Sequence, residues 1–260
     1  MMGTDMRAPH RQPRAAGRGF SLLEILLVVA IVSIVVGAVL TQVEQVEQRA
    51  TAEQGKVDDF QQARDLLDQV LRDTHQMGYP NIRNFDPTAI AFASPQVNDY
   101  RLAVGLVKLS ATQLEFQGDV SGTGTVSVVS YAVNGDGTCA NCIERAQVAK
   151  VTGDPVTGQP DVADSYSLAV QNVQNTTSVF TAYDSSGNPI ALPIDIDANP
   201  TVIPTVRVIQ INLTIESPTI TDPKTGRPLE ADIGGRVQVV DCSMGSTGLT
   251  STTGISLTCQ

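Results

Sequence analysis

Histidine is nearly missing from this 260-residue chain, which has only His10 and His75. No Ser-His-Asp or Cys-His set can be assembled within one domain without His75, whose spacing reads as the polar face of a helix. A Gly-x-x-x-x-Gly-Lys phosphate loop and a helical His-Glu-x-x-His site are also absent. Nothing in these patterns points to an enzyme, and no cofactor or resident metal is implied. Beyond residue 19, lysine and arginine do not cluster, so the basic footprint of nucleic-acid binding is missing. Tryptophan is absent and aromatics reach only 4 %, while Thr, Val, Ser, Gly and turn residues are plentiful. That composition predicts a β-rich domain.

Long apolar runs are scarce as well, with one exception. The 21 residues from Phe20 to Leu40 contain a single charge, Glu24. About 20 apolar residues cross a hydrocarbon core of roughly 30 Å, so the segment is long enough to span a bilayer. Upstream, Arg7, Arg11, Arg14 and Arg18 are set against one acid, Asp5. That bias keeps the N-terminus cytoplasmic and sends the C-terminal bulk outward. A secretory signal peptide would have a shorter apolar region and an Ala-x-Ala cut site after it. Here Thr41-Gln42-Val43-Glu44 continues the helix instead. A simple uncleaved anchor would leave Glu24 unexplained, because a lone charge inside a membrane segment is costly and by default functional.

The stretch Gly19-Phe20-Ser21-Leu22-Leu23-Glu24 resembles the type III signal of type IV prepilins and type II secretion pseudopilins. The resemblance implies cleavage after Gly19 by a membrane peptidase, which also methylates the new N-terminal residue, Phe20. It implies too that Glu24, at mature position five, neutralises the N-terminal amine of a neighbouring subunit during assembly. An unpaired carboxylate in lipid would cost several kcal/mol, so the paired subunit in a filament is favoured over the lone one. Pairing of Glu24 with its own amine, or its protonation, remains open at this stage. Loss of residues 1–19 leaves 13 basic against 26 acidic residues, a net charge of −13. Such acidity favours solubility outside the membrane.

The expected domains are a leader over 1–19, a membrane and assembly helix over 20–40, an amphipathic extension over 41–78, and a β-rich head over 79–260. Val43, Val46, Ala50, Val57, Phe60, Leu67 and Leu71 recur at 3–4 spacing among polar residues, which predicts one apolar stripe on the extension. Gly55 weakens that helix by about 1 kcal/mol relative to alanine, and Gly78-Tyr79-Pro80 ends it. From Phe20 to Met77 it would be roughly 87 Å long, its second half laid against a sheet. Beyond Pro80 the period changes to two. Predicted strands are Ala89–Ala93, Leu102–Leu109, Thr112–Gln117, Thr125–Val133, Ile143–Val151, Leu168–Val173, Ser178–Tyr183, Val206–Ile215 and Arg236–Asp241. Turn clusters separate them, and residues 153–164 and the tail from Gly245 read as loops. The fold class is therefore α+β and pilin-like, with a long N-terminal helix packed on an antiparallel β-rich head.

The order of several downstream pieces resembles minor pilins of the PilW type, with GspJ-type pseudopilins as nearest relatives. These pieces are Leu114–Asp119, Val129–Tyr131, Ile143–Arg145, Val173 to Tyr183, and Arg207–Leu213 leading to Asp222–Gly226. That resemblance implies a minor subunit in the initiation or tip complex of a type IV pilus. Its partners would be the prepilin peptidase/methyltransferase, other minor and major pilins, the assembly platform and the inner membrane. The head would lie outside the cytoplasm and then in a pilus or pseudopilus.

An outward-facing head sits where disulfides persist. Cys139, Cys142, Cys242 and Cys259 allow three connectivities. Pilins often pin their C-terminal segment, which implies Cys242–Cys259 and leaves Cys139–Cys142 to close a small loop in a hairpin. The Cys-x-x-Cys pair follows an Asn-Gly-Asp-Gly turn rather than opening a helix, which argues against a redox motif. A separation of 16 residues between the other two argues against zinc. Asp119-Val-Ser-Gly-Thr-Gly-Thr125 resembles a degraded calcium loop, with Ser130 where a bidentate glutamate would stand. A tight hairpin loop is the preferred reading there. Two other functions stay in view: a GspJ-like pseudopilin of a type II secretion system, and an anchored module binding calcium or a surface ligand through Asp119. Asp195, Asp197 and Asn199 read as an exposed acidic loop between Pro193 and Pro200.

Overall fold

The computed structural model describes residues 21–81, 98–135, 137–221 and 226–239. It has a long N-terminal helix followed by an antiparallel β-rich region, an α+β pilin-like arrangement. Helix α1 runs Leu22–His75, 54 residues or about 81 Å. Gly55 is accommodated without a break in the helical backbone. Gly78, at φ 76°, turns the chain just before Pro80, where the residue pattern predicts the end. By compactness the chain divides into two units, Met1–Thr51 and Ala52–Gln260.

In the first unit, Leu22–Ala50 is a helix long and apolar enough to cross a membrane, and none of it is buried by the rest of the protein. In the second unit, burial begins later on α1 than the apolar stripe predicts. Val57 is 64 % exposed, whereas Ala63, Leu66, Leu67 and Val70 are buried. Those four follow i, i+3, i+4, i+7 spacing, the signature of one helix face on a core. Of the predicted stripe, Leu67 is buried and Leu71 packs partly buried against the same core, whereas Ala63, Leu66 and Val70 were not among its members.

Two antiparallel sheets complete the head. The first contains β1 (Gly105–Leu109), β2 (Gln113–Gly118), β3 (Ser127–Val133), β4 (Ile143–Ala149), β5 (Ser167–Val170) and β8 (Ile194–Asp195), in the order β5-β4-β3-β2-β1-β8. The second contains β6 (Phe180–Tyr183), β7 (Pro189–Ile190), β9 (Val208–Thr221) and β10 (Pro228–Gln238), in the order β10-β9-β6-β7. Alternation on β2 and β3 sends Leu114, Phe116, Val129 and Tyr131 into the core, while β9 sends Ile209, Ile211, Leu213 and Ile215. These side chains and the buried face of α1 form one cluster. Each fully buried Leu, Ile or Phe contributes roughly 1.5–3 kcal/mol, so this cluster is the main source of stability.

The predicted strands differ from the observed ones mainly at the hairpin of the second sheet. β9 continues six residues past Ile215, and β10 starts at Pro228 instead of Arg236. Pro228, Gly234 and Gly235 hide β10 from a propensity reading, since both residue types are depleted in strands. The acidic stretch read as a loop contributes a two-residue strand, β8, whose Asp195 pairs with Lys108. The predicted strand Ala89–Ala93 lies outside the described residues.

Candidate functional site

Ser21 starts α1, its carbonyl accepting the amides of Glu24 at 2.9 Å and Ile25 at 3.2 Å. Glu24 therefore sits in the first turn, where the helix dipole favours an anion. Its side chain is exposed, and no ion pair to it forms among the described residues. From Leu22 to Leu40 the large apolar side chains are also exposed, with Leu22 at 77 %. Such a surface requires a hydrocarbon or protein covering. Gly19 and Phe20 lie outside the described residues.

In the head, a polar cluster pins the end of α1 to the first sheet. Asp73 Oδ2 accepts from Tyr131 Oη at 2.6 Å and from Arg145 Nε at 2.8 Å. Arg145 Nη2 lies 2.8 Å from the same oxygen and also donates to Gln147 at 2.9 Å. The register that sets Tyr131 opposite Arg145 places both beneath Asp73. Burial opposes the Arg145 charge, but Asp73 and Tyr131 outweigh it and raise the guanidinium pKa further. Burial and the Asp73 charge push the Tyr131 phenol upward as well. The cluster was illegible in the sequence because Asp73 lies 58 positions from Tyr131 and 72 from Arg145.

A second buried group is Lys150, just past β4. Its Nζ donates to the Leu102 carbonyl at 2.7 Å. Burial lowers its pKa to about 7, with the Asp99 charge opposing the shift. Asp99 is fully buried and forms a two-point pair with Arg101, Nε to Oδ1 at 3.1 Å and Nη2 to Oδ2 at 2.8 Å. Burial works against the Asp99 carboxylate charge, yet the Arg101 bonds prevail and hold it below its usual range.

The remaining candidates are organisers of loops. Asp119 is buried, and its carboxylate accepts from Ser121 Oγ at 3.2 Å and from the amides of Thr123 at 3.1 Å and Gly124 at 2.7 Å. This geometry closes the turn after β2 with side-chain-to-backbone bonds, as Asx turns do. Cys139 and Cys142 form a disulfide between β3 and β4, with Cα atoms 6.0 Å apart. Asn134, at φ 52°, accepts the Cys142 amide on Oδ1 and shapes the same hairpin end. Cys242 and Cys259 lie outside the described residues. His75 is exposed, in keeping with a polar helix face.

Residues 14–40 match the family model for the prokaryotic N-terminal methylation motif. No curated protein and no solved structure matches the chain. The motif is the signal of type IV pilins and pseudopilins, and it makes this chain pilin-like or pseudopilin-like. It implies processing by a prepilin peptidase and assembly with other pilins, and with the apolar helix it supports membrane anchoring.

Proposed function

We propose that this chain is a minor pilin, cleaved after Gly19, methylated on Phe20 and built into the initiation or tip complex of a type IV pilus. The observation that carries the reading is the methylation motif at residues 14–40 on an exposed apolar helix that continues into a two-sheet head. After cleavage the new α-amine, on Phe20, stands four positions before Glu24 in sequence. The carboxylate then supplies the counter-charge that a neighbouring subunit's amine needs once both leave the bilayer. A head with ten strands among its described residues offers lateral surface for contacts with unlike subunits, which suits a minor subunit better than a repeated one.

Replacement of Glu24 by valine should spare cleavage and reduce incorporation into filaments at least ten-fold. Crosslinking in cells followed by co-purification then identifies the neighbours. Pilins and the pilus assembly platform are expected. Recovery of secretion-system pseudopilins alone would move the chain to the GspJ-like role, and normal incorporation of the Glu24 variant would refute the assembly role.

A further inference from the structure

β10 forms one edge of the second sheet and pairs only with β9 among the described residues. From Leu229 to Gln238 the pairing with β9 runs without a shift; the one irregularity falls at Pro228. Natural edges are usually blunted by charged side chains (above all lysine), proline, bulges or short length. Residues 229–238 of β10 have no lysine, proline or bulge, so the charges of Glu230, Asp232 and Arg236 are what guard this edge and what select a partner for it.

The direction of its backbone groups follows from β9. Asn212 donates its amide to Val179, Thr214 accepts from Gln174, and Glu216 donates to Asn172. These three therefore turn their peptide groups away from β10. Their partners Gly234, Asp232 and Glu230 must turn theirs away from β9, toward the open edge. Arg236 and Gln238 follow by alternation. Five residues thus present amides and carbonyls along about 27 Å of edge. The side chains of Glu230, Asp232, Arg236 and Gln238 are exposed on the outer face.

The charge on that face selects the occupant. Glu216 and Glu230 stand directly opposite each other in a pair without mutual backbone bonds, the closer kind of antiparallel pair. Asp232 is next along the same face, its carboxylate accepting from Thr214 Oγ1 at 2.7 Å. Like charges directly across a ladder are destabilising, and no ion pair among the described residues relieves these three. A polar cleft of about 560 Å³ lies beside them, bounded by Glu230, Asp232, Thr214 and Gln174. Gly234, lacking a side chain, leaves room for a large one opposite.

We propose that β10 is a docking edge for an extended segment of another protein, bearing lysine or arginine at the alternate positions opposite Glu230 and Asp232 and a large side chain opposite Gly234. The added strand pairs its backbone with the five outward residues, and its cations neutralise the Glu216–Glu230–Asp232 face. A second copy fits less well. A two-fold pairing centred on Gly234 would set Asp232 against Arg236 but Glu230 against the neutral Gln238, leaving the Glu216–Glu230 pair without a cation. The proposal goes beyond the pilus reading and does not depend on it.

The test uses the full chain in detergent micelles and a labelled Thr-Thr-Asp-Thr-Tyr-Thr-Lys-Thr-Lys peptide, with a control in which both lysines are glutamate. Saturable binding is expected, at least ten-fold weaker for the control. Amide exchange should slow at residues 230, 232, 234, 236 and 238 and stay unchanged at the intervening residues. Glu230→Lys with Asp232→Lys should reverse the peptide preference while the fold persists. Asp232→Pro removes an edge amide and, toward β9, the Thr214 side-chain bond but no backbone bond, and should abolish binding. Equal binding of both peptides, no binding, or protection elsewhere would overturn the proposal. So would full protection of the five amides in the protein alone, which would mean that a segment of this chain or a second copy already covers the edge.

Discussion

Removal of the Asp73 carboxylate should unlock the end of α1 from the first sheet. In Asp73→Ala, Tyr131 loses its 2.6 Å acceptor and Arg145 loses both bonds to Oδ2. Arg145 keeps Gln147 and the Tyr131 oxygen at 3.2 Å, but its charge is left without a carboxylate. The two charged side chains are only 16 % and 11 % exposed. Breaking a buried pair on one side costs about 3–5 kcal/mol, and the residual exposure puts this case near about 3 kcal/mol. For a head of this size that corresponds to roughly 6–12 °C in Tm. Urea unfolding of the full chain in micelles, followed by circular dichroism in the β-sheet region, measures the loss. The double variant Asp73→Leu with Arg145→Met should recover part of it, with a coupling of about 1.5 kcal/mol or more. A single-variant loss under about 1 kcal/mol, with strictly additive effects in the double variant, would refute the pinning role.

Lys150 should make head stability depend on pH. Its folded pKa of about 7 lies below the ordinary lysine value of 10.5. The unfolded chain therefore binds more protons between those values, so stability rises with pH across that window and flattens below about 7. Lys150→Met should remove a slope of up to about 1.4 kcal/mol per pH unit; parallel curves for the two proteins between pH 7 and 9 would contradict this. Gly118 meets the end of α1 so closely that an added Cβ would fall on the Gln76 carbonyl. Gly118→Ala should cost about 2 kcal/mol, whereas Gly234→Ala, whose nearest contact would be 3.4 Å, should stay within about 0.5 kcal/mol. Equal unfolding midpoints for the two glycine variants would show that this close approach is not needed.

Local rules carried most of the fold. The helix end before Pro80, the alternation of β2, β3 and β9, and the Cys139–Cys142 hairpin were readable because each depends on neighbours in sequence. β8 was not, since a two-residue strand beside Lys108 exists only because β1 supplies the partner. β10 was masked by its glycines and proline, and its length is set by the ladder to β9. The extent of helix burial was likewise a tertiary matter. Val57 and Leu67 share one periodicity, yet only Leu67 meets the sheets, within reach of Gly235. At the processing end the position reversed. The methylation motif over residues 14–40 was legible because it is linear, whereas the Asp73, Tyr131 and Arg145 cluster forms only in the folded head.

The central claim is processing at Gly19 followed by assembly, and the N-terminus of the chain recovered from membranes of a prokaryotic host that carries a prepilin peptidase tests it most directly. Mass spectrometry should find a chain beginning at Phe20 with one methyl group on its amine, and Gly19→Val should leave residues 1–19 in place. A wild-type chain that retains its leader or is cut elsewhere, or wild-type processing of Gly19→Val, would contradict the account.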